Sequence, residues 1–142
     1  MYINDKSFDT NLIDVNKIRY LLFTNLYNNP SSIENLLSII EKHIECLGVN
    51  YDQSTFTITV KIKKTAMRRI HGFKQDPNFY YQRIPEIFRE FLSVNEGVIL
   101  SALQQDYPNP RDVLNTIYLN YSIMANLCHV SCIADNIVII KL

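Results

Sequence analysis

One stretch constrains this chain more than any other: Thr55-Phe56-Thr57-Ile58-Thr59-Val60-Lys61-Ile62-Lys63. Phe56, Ile58, Val60 and Ile62 share one face, and threonines and lysines share the other. At the helical period this pattern would scatter its apolar groups round the axis, whereas at a period of two it gives one greasy and one wet face. With β-branched residues on both faces, it predicts a half-buried strand over 55–63. Val49-Asn50-Tyr51 before it either pairs with it or leads into it. A second strand signal closes the chain. Val130–Ile133 and Ile137–Ile140 flank Ala134-Asp135-Asn136, which predicts a terminal hairpin. The unbroken Ile/Val run predicts that its last strand is covered on both faces.

Helical spacing dominates elsewhere. Residues 1–13 read as an irregular N-terminal arm. Val15, Ile18, Leu21, Leu22 and Leu26 predict a helix over 14–27, ended by Asn28-Asn29-Pro30. Ser31 or Ser32 caps a second helix, whose inner face is Ile33, Leu36, Leu37, Ile40, Ile44 and Leu47, with Gly48 as its stop. Residues 64–70 fit a helical turn or a strand, and 72–78 read as a loop. Pro85 opens a helix carrying Ile87, Phe88, Phe91 and Leu92, and Asn95 caps a shorter one running to Gln104. Asn109-Pro110 starts a helix expected to reach Leu127. It is apolar nearly all round, and is therefore central.

These elements predict an α+β, helix-rich single domain over 1–142. A two-helix-plus-strand N-terminal unit packs against a C-terminal unit of three helices and a β-hairpin. The order of elements over 85–142 is that of a winged helix. Groove reading of DNA needs several Lys or Arg on the docking face, yet Asn95–Leu142 holds only Arg111 and Lys141 against Glu96, Asp106, Asp112 and Asp135. Such a region suits protein better than DNA. Its apolar surplus, Tyr118, Leu119, Tyr121 and Met124, is the candidate partner surface, and protein, as a homodimer or larger assembly, is the expected partner.

Charge offers a second candidate. The chain is neutral overall, which argues against binding nucleic acid by bulk charge, but the charge is segregated. Lys61, Lys63, Lys64, Arg68, Arg69 and Lys74 supply six of the 14 Lys and Arg within 14 residues that hold no acid. They form a candidate site for phosphate, nucleic-acid backbone or an acidic peptide, with Phe73, Phe79, Tyr80 and Tyr81 nearby to stack. Alternatively the lysines keep a strand edge soluble, while Arg68 and Arg69 pair with Glu86 and Glu90.

Chemistry is harder to find. His43-x-x-Cys46 and Cys128-His129-x-x-Cys132 could in principle converge on zinc, but neither has a standard spacing. The sequence holds no phosphate loop, nucleophile elbow or metalloprotease motif. The carboxylate pairs Glu41/Glu45 and Glu86/Glu90 look like solvated helix faces. No metal, cofactor or small-molecule substrate is expected, and neither is catalysis. Three cysteines are too few for a disulfide scaffold and predict reduced thiols in an intracellular setting, nuclear or cytoplasmic. No apolar run is long enough to span a membrane, and no secretory signal opens the chain. The expectation is a non-catalytic interaction or assembly module, with nucleic-acid binding through 61–74 as the alternative.

Overall fold

The alternating stretch forms a strand, β2, over Thr57–Ile62, and Phe56 falls instead in the turn before it with a φ of 51°. A bulky residue rarely adopts that left-handed geometry. Here two long-range contacts hold it: the Phe56 ring meets Phe23 edge-on at 4.7 Å, and its carbonyl accepts the Leu142 N–H at 3.0 Å. The computed structural model describes residues 13–63, 69–70, 74–75, 77–134 and 136–142, so the predicted arm lies almost wholly outside the described residues.

β2 pairs on one side with β1 (Cys46–Asp52), placing Val49 opposite Val60 and Tyr51 opposite Ile58. On its other side lies the last strand of the chain. The predicted hairpin is β5 (His129–Ala134) and β6 (Ile137–Lys141), and the antiparallel sheet runs β1-β2-β6-β5. The N-terminal strands and the C-terminal hairpin therefore share one sheet, joined across β2 and β6. The expected covering of β6 on both faces is not found. Val138 and Ile140 are buried with Ile58, Val60, Ile62 and Val130, while Ile137 and Ile139 stay half-buried on the outer face. There they stand between Lys61 and Thr59 on β2 and Ala134 and Ser131 on β5.

Helices close the inner face. Asp14 caps α1 (Val15–Leu22) by accepting the Asn16 N–H at 2.9 Å. The next five residues, Phe23–Tyr27, widen into a π-helix. Wide turns are rare because they loosen the backbone ladder, and polar side chains compensate here. Thr24 donates to the Tyr20 carbonyl at 3.0 Å, Asn25 to Leu21 at 2.8 Å, and Asn28 to Phe23 at 3.1 Å. The widened turn brings both Leu26 and Tyr27 into the core.

Asn29, rather than Ser31 or Ser32, caps α2 (Pro30–His43), and Ser32 is buried. α2 also stops earlier than its apolar spacing predicts. Ile44 is the C-cap, and Leu47 and Gly48 belong to β1, where strand pairing outweighs helical periodicity. The poorly patterned region contains a two-stranded ribbon, β3 (Arg69–Ile70) with β4 (Lys74–Gln75), and a short helix α3 (Pro77–Tyr81).

From there the chain runs α4 (Ile84–Val94), α5 (Glu96–Gln104), α6 (Pro110–Leu119) and α7 (Tyr121–Ala125). The single helix expected over 110–127 is thus two. Asn120 breaks it, acting as C-cap of α6 and N-cap of α7 and accepting the Ile123 N–H at 3.0 Å. α2 packs on β1, α4 on α2, and α7 on α4. Among the described residues no helix is long and apolar enough to cross a membrane.

Glu90 ties α4 to α2. It accepts from Lys42 Nζ at 2.8 Å and meets His43 Nε2 at 3.0 Å, while Glu86 lies 3.7 Å from His43 Nδ1. The hydrogen bonds from Lys42 and His43 hold the Glu90 carboxyl below its ordinary range. A carboxylate whose folded pKa is depressed adds stability above its unfolded pKa and loses it as pH falls through the folded one. Glu90→Gln should therefore flatten the acid side of the stability curve below the ordinary glutamate range, as read by urea denaturation at stepped pH. An unchanged acid limb would show that the pair contributes nothing.

Candidate functional site

The break at Asn120 builds the most exposed apolar feature among the described residues. In one continuous helix Tyr118, Leu119, Tyr121 and Met124 would spread round the axis. With the helix interrupted, Leu119 ends α6 at 87% exposure and Tyr121 begins α7 at 60%. Met124, grouped with them on sequence, is fully buried, and with Ile123 it anchors α7 in the core. That corrects its place in the candidate surface. The new helix start turns the second residue pair of α7 inward.

Tyr118 is half-buried and serves as a mount. Its hydroxyl donates to Glu96 Oε2 at 3.1 Å, and Glu96 Oε1 accepts from Arg111 Nη2 at 2.8 Å. Burial, and then the bond to Glu96, push the phenol up to about 12, so it is a neutral donor at physiological pH. Arg111 and Tyr118 hold Glu96 ionised, below its ordinary range. From α4, the Arg89 guanidinium donates twice to the Tyr118 carbonyl, at 3.2 and 3.0 Å. That fork satisfies a carbonyl left open by the end of α6. The ledge carrying Leu119 and Tyr121 is thus fixed from α4 and α5. Val94 and Val98, 56% and 44% exposed, stand within a turn of Glu96.

The basic residues are placed less closely together. Lys61 is exposed on the outer sheet face, in the row Gly48, Lys61, Ile137. Lys63 lies 3.9 Å from Glu45. Lys64 and Arg68 lie outside the described residues. Arg69 and Lys74 fall on the β3–β4 ribbon, where Arg69 pairs with Gln75 and Ile70 with Lys74. Lys141, not singled out on sequence, shares the outer face with Lys61, opposite Thr57 and His129. Of the aromatics offered for stacking, Phe73 lies outside the described residues and Tyr80 is buried. Glu90, suggested as a partner for the arginines, is bound to Lys42 and His43.

The cysteine–histidine pairs do not converge. Cys46 lies on β1 and Cys132 on β5, the two ends of the sheet order, about 14 Å apart at the usual strand spacing. Zinc bonds span about 2.3 Å, so one ion cannot collect both pairs. His43 faces Glu90 instead, and His129 Nδ1 lies 3.1 Å from the Tyr81 hydroxyl. Cys128 is buried, which pushes its thiol up to about 12 and leaves it a poor nucleophile. Comparison with known protein families, with curated proteins and with solved structures finds no match.

Proposed function

We propose that this chain is a non-catalytic assembly module that associates with a second copy through the ledge at Leu119 and Tyr121. One observation carries the proposal: a leucine 87% exposed and a tyrosine 60% exposed stand on either side of Asn120. Large apolar groups held in water cost free energy that a partner recovers, and tyrosine is among the side chains that most often dominate interfaces. The ledge is also pre-organised, because the Arg89 fork and the Tyr118–Glu96–Arg111 chain fix its backbone before any partner arrives. Little ordering entropy then remains to oppose association. On this reading the run from α4 to β6, expected on sequence to be winged-helix-like and here carrying four helices before its hairpin, supplies the platform. Its hairpin is built into the sheet through β2 and is therefore not free to act as a wing, which leaves the α6–α7 joint as the candidate contact.

The test is light scattering across concentration with the wild-type chain and Leu119→Ser/Tyr121→Ser. Both side chains are exposed, so stability should change by no more than about 0.5 kcal/mol each. Self-association should weaken at least tenfold in the variant, and should be insensitive to salt in the wild type. A wild-type monomer at every concentration, or a variant that associates equally well, overturns the proposal. Association that collapses with added salt would favour the basic stretch instead.

A further inference from the structure

The two edges of the sheet are unequal. The β5 edge is covered over part of its length: the Val130 N–H donates to the Tyr81 hydroxyl at 3.0 Å, and α3 and β4 lie against the strand. The opposite edge, β1, is the last strand in the sheet order among the described residues. Its sequence, Cys46 to Asp52, contains no proline or lysine to discourage pairing, and its bulge at Leu47 leaves 48–52 regular. Its inward residues Cys46, Val49 and Tyr51 are only half-buried, whereas their partners Ile62, Val60 and Ile58 on β2 are fully buried.

Two further features lie on the same strand. At its start, Leu47 is 62% exposed. At its end is a cleft of about 220 Å³ lined by Tyr27, Asn28, Pro30, Ile33, Glu34, Tyr51 and Gln53. Ile33, Pro30 and the tyrosine rings give the cleft apolar lining that a leucine side chain can pack against. Knob and cleft stand symmetrically about Asn50, with Leu47 three residues before it and Gln53 three after.

That symmetry is what an antiparallel pair of identical strands requires. We infer that β1 pairs with β1 of a second copy about a two-fold axis at Asn50, each Leu47 entering the other copy's Tyr51–Gln53 cleft. In this register Val49 faces Tyr51, Gly48 faces Asp52, and Asn50 faces its own copy. The side-chain faces agree, since 49 and 51 point inward and 48, 50 and 52 outward. No like charges meet, because Asp52, the one charged residue of β1, falls opposite glycine. The free N–H and C=O groups of the edge find partners, and the four-stranded sheet extends across the axis. This interface is separate from the ledge on α6 and α7. A chain carrying two distinct two-fold surfaces can assemble beyond a dimer.

The experiment uses the full chain with Leu119→Ser/Tyr121→Ser as background, so that the ledge does not contribute. Sedimentation equilibrium should still show a dimer. Adding Leu47→Lys removes the knob, and adding Asn50→Lys sets two like charges together at the axis. Each should weaken the remaining dimer at least tenfold with an unchanged circular dichroism spectrum. Asn50 is exposed, so its variant stays readable even if Leu47→Lys perturbs the bulge. A background protein monomeric at all concentrations overturns the inference, as does a dimer indifferent to Asn50→Lys. If wild type and background associate alike, and Asn50→Lys then breaks the dimer, the ledge proposal fails and the strand pairing stands.

Discussion

Phe91→Ala is expected to remove roughly 3–5 kcal/mol of folding stability, lowering the urea midpoint accordingly. Phe91 is fully buried on α4, where that helix packs on α2. Its ring lies nearly parallel to Tyr27, with centroids 6.2 Å apart and planes 14° apart, and edge-on to Phe88 at 6.2 Å. Truncation removes apolar burial, opens a cavity between rigid rings, and forfeits about 0.5–1.5 kcal/mol for each aromatic pair. A chain of this size has about 5–15 kcal/mol in all, so the variant should also melt at a markedly lower temperature. Val94→Ala is the control. One turn further on the same helix, at 56% exposure, it should fall within about 0.5 kcal/mol of wild type. A loss below about 1 kcal/mol at Phe91 would mean that Tyr27 and Phe88 collapse into the space, contradicting a rigid core.

What sequence reading reached, and what it missed, follow from the range of the interactions involved. β2, α2, α4 and α5 were legible because one period or one proline carries the information within a few residues. Ile44 and Leu47 misled because their spacing also continues a helix; only the pairing of β1 with β2 decides against it, and that pairing is remote in sequence. The π-helix was invisible because Thr24, Asn25 and Asn28 read as ordinary polar residues until their carbonyl partners are known. Asn120 sits inside an apolar run, and treating it as a helix interior placed Met124 with Leu119 and Tyr121. The same asparagine read as a cap would have separated them. The free edge of β1 had no local sign, since strand order is a property of the folded chain.

The second large effect is expected at Asn95, a buried polar residue at the junction of α4 and α5. Its amide nitrogen donates to the Phe91 carbonyl at 2.9 Å, and its oxygen accepts from the buried Ser32 hydroxyl of α2 at 3.2 Å. One carboxamide thus satisfies an acceptor on α4 and a donor on α2, and it fixes how the two helices meet. Asn95→Asp keeps the shape and exchanges the donor for an acceptor. Ionised, the new carboxylate would face the Phe91 carbonyl with no proton between them; protonated, it restores the bond. Burial and the loss of the bond to the Phe91 carbonyl on ionisation raise its folded pKa above the ordinary value of about 3.9, against the smaller opposing pull of the Ser32 hydroxyl and the α5 N-terminus. Within that window the native state holds a proton that the unfolded state has released, so stability falls as pH rises from about 4 and is regained on acidification. A displacement of about two pK units corresponds to about 3 kcal/mol lost at neutral pH. Asn95→Ala leaves Ser32 and Phe91 without that partner at every pH and should cost about 1–3 kcal/mol without this slope. Urea titrations of all three proteins from pH 3 to pH 7 separate the cases. A constant gap between wild type and Asn95→Asp across that range would show that the Phe91 carbonyl finds water once the amide is gone, and that the junction is wetter than its burial implies.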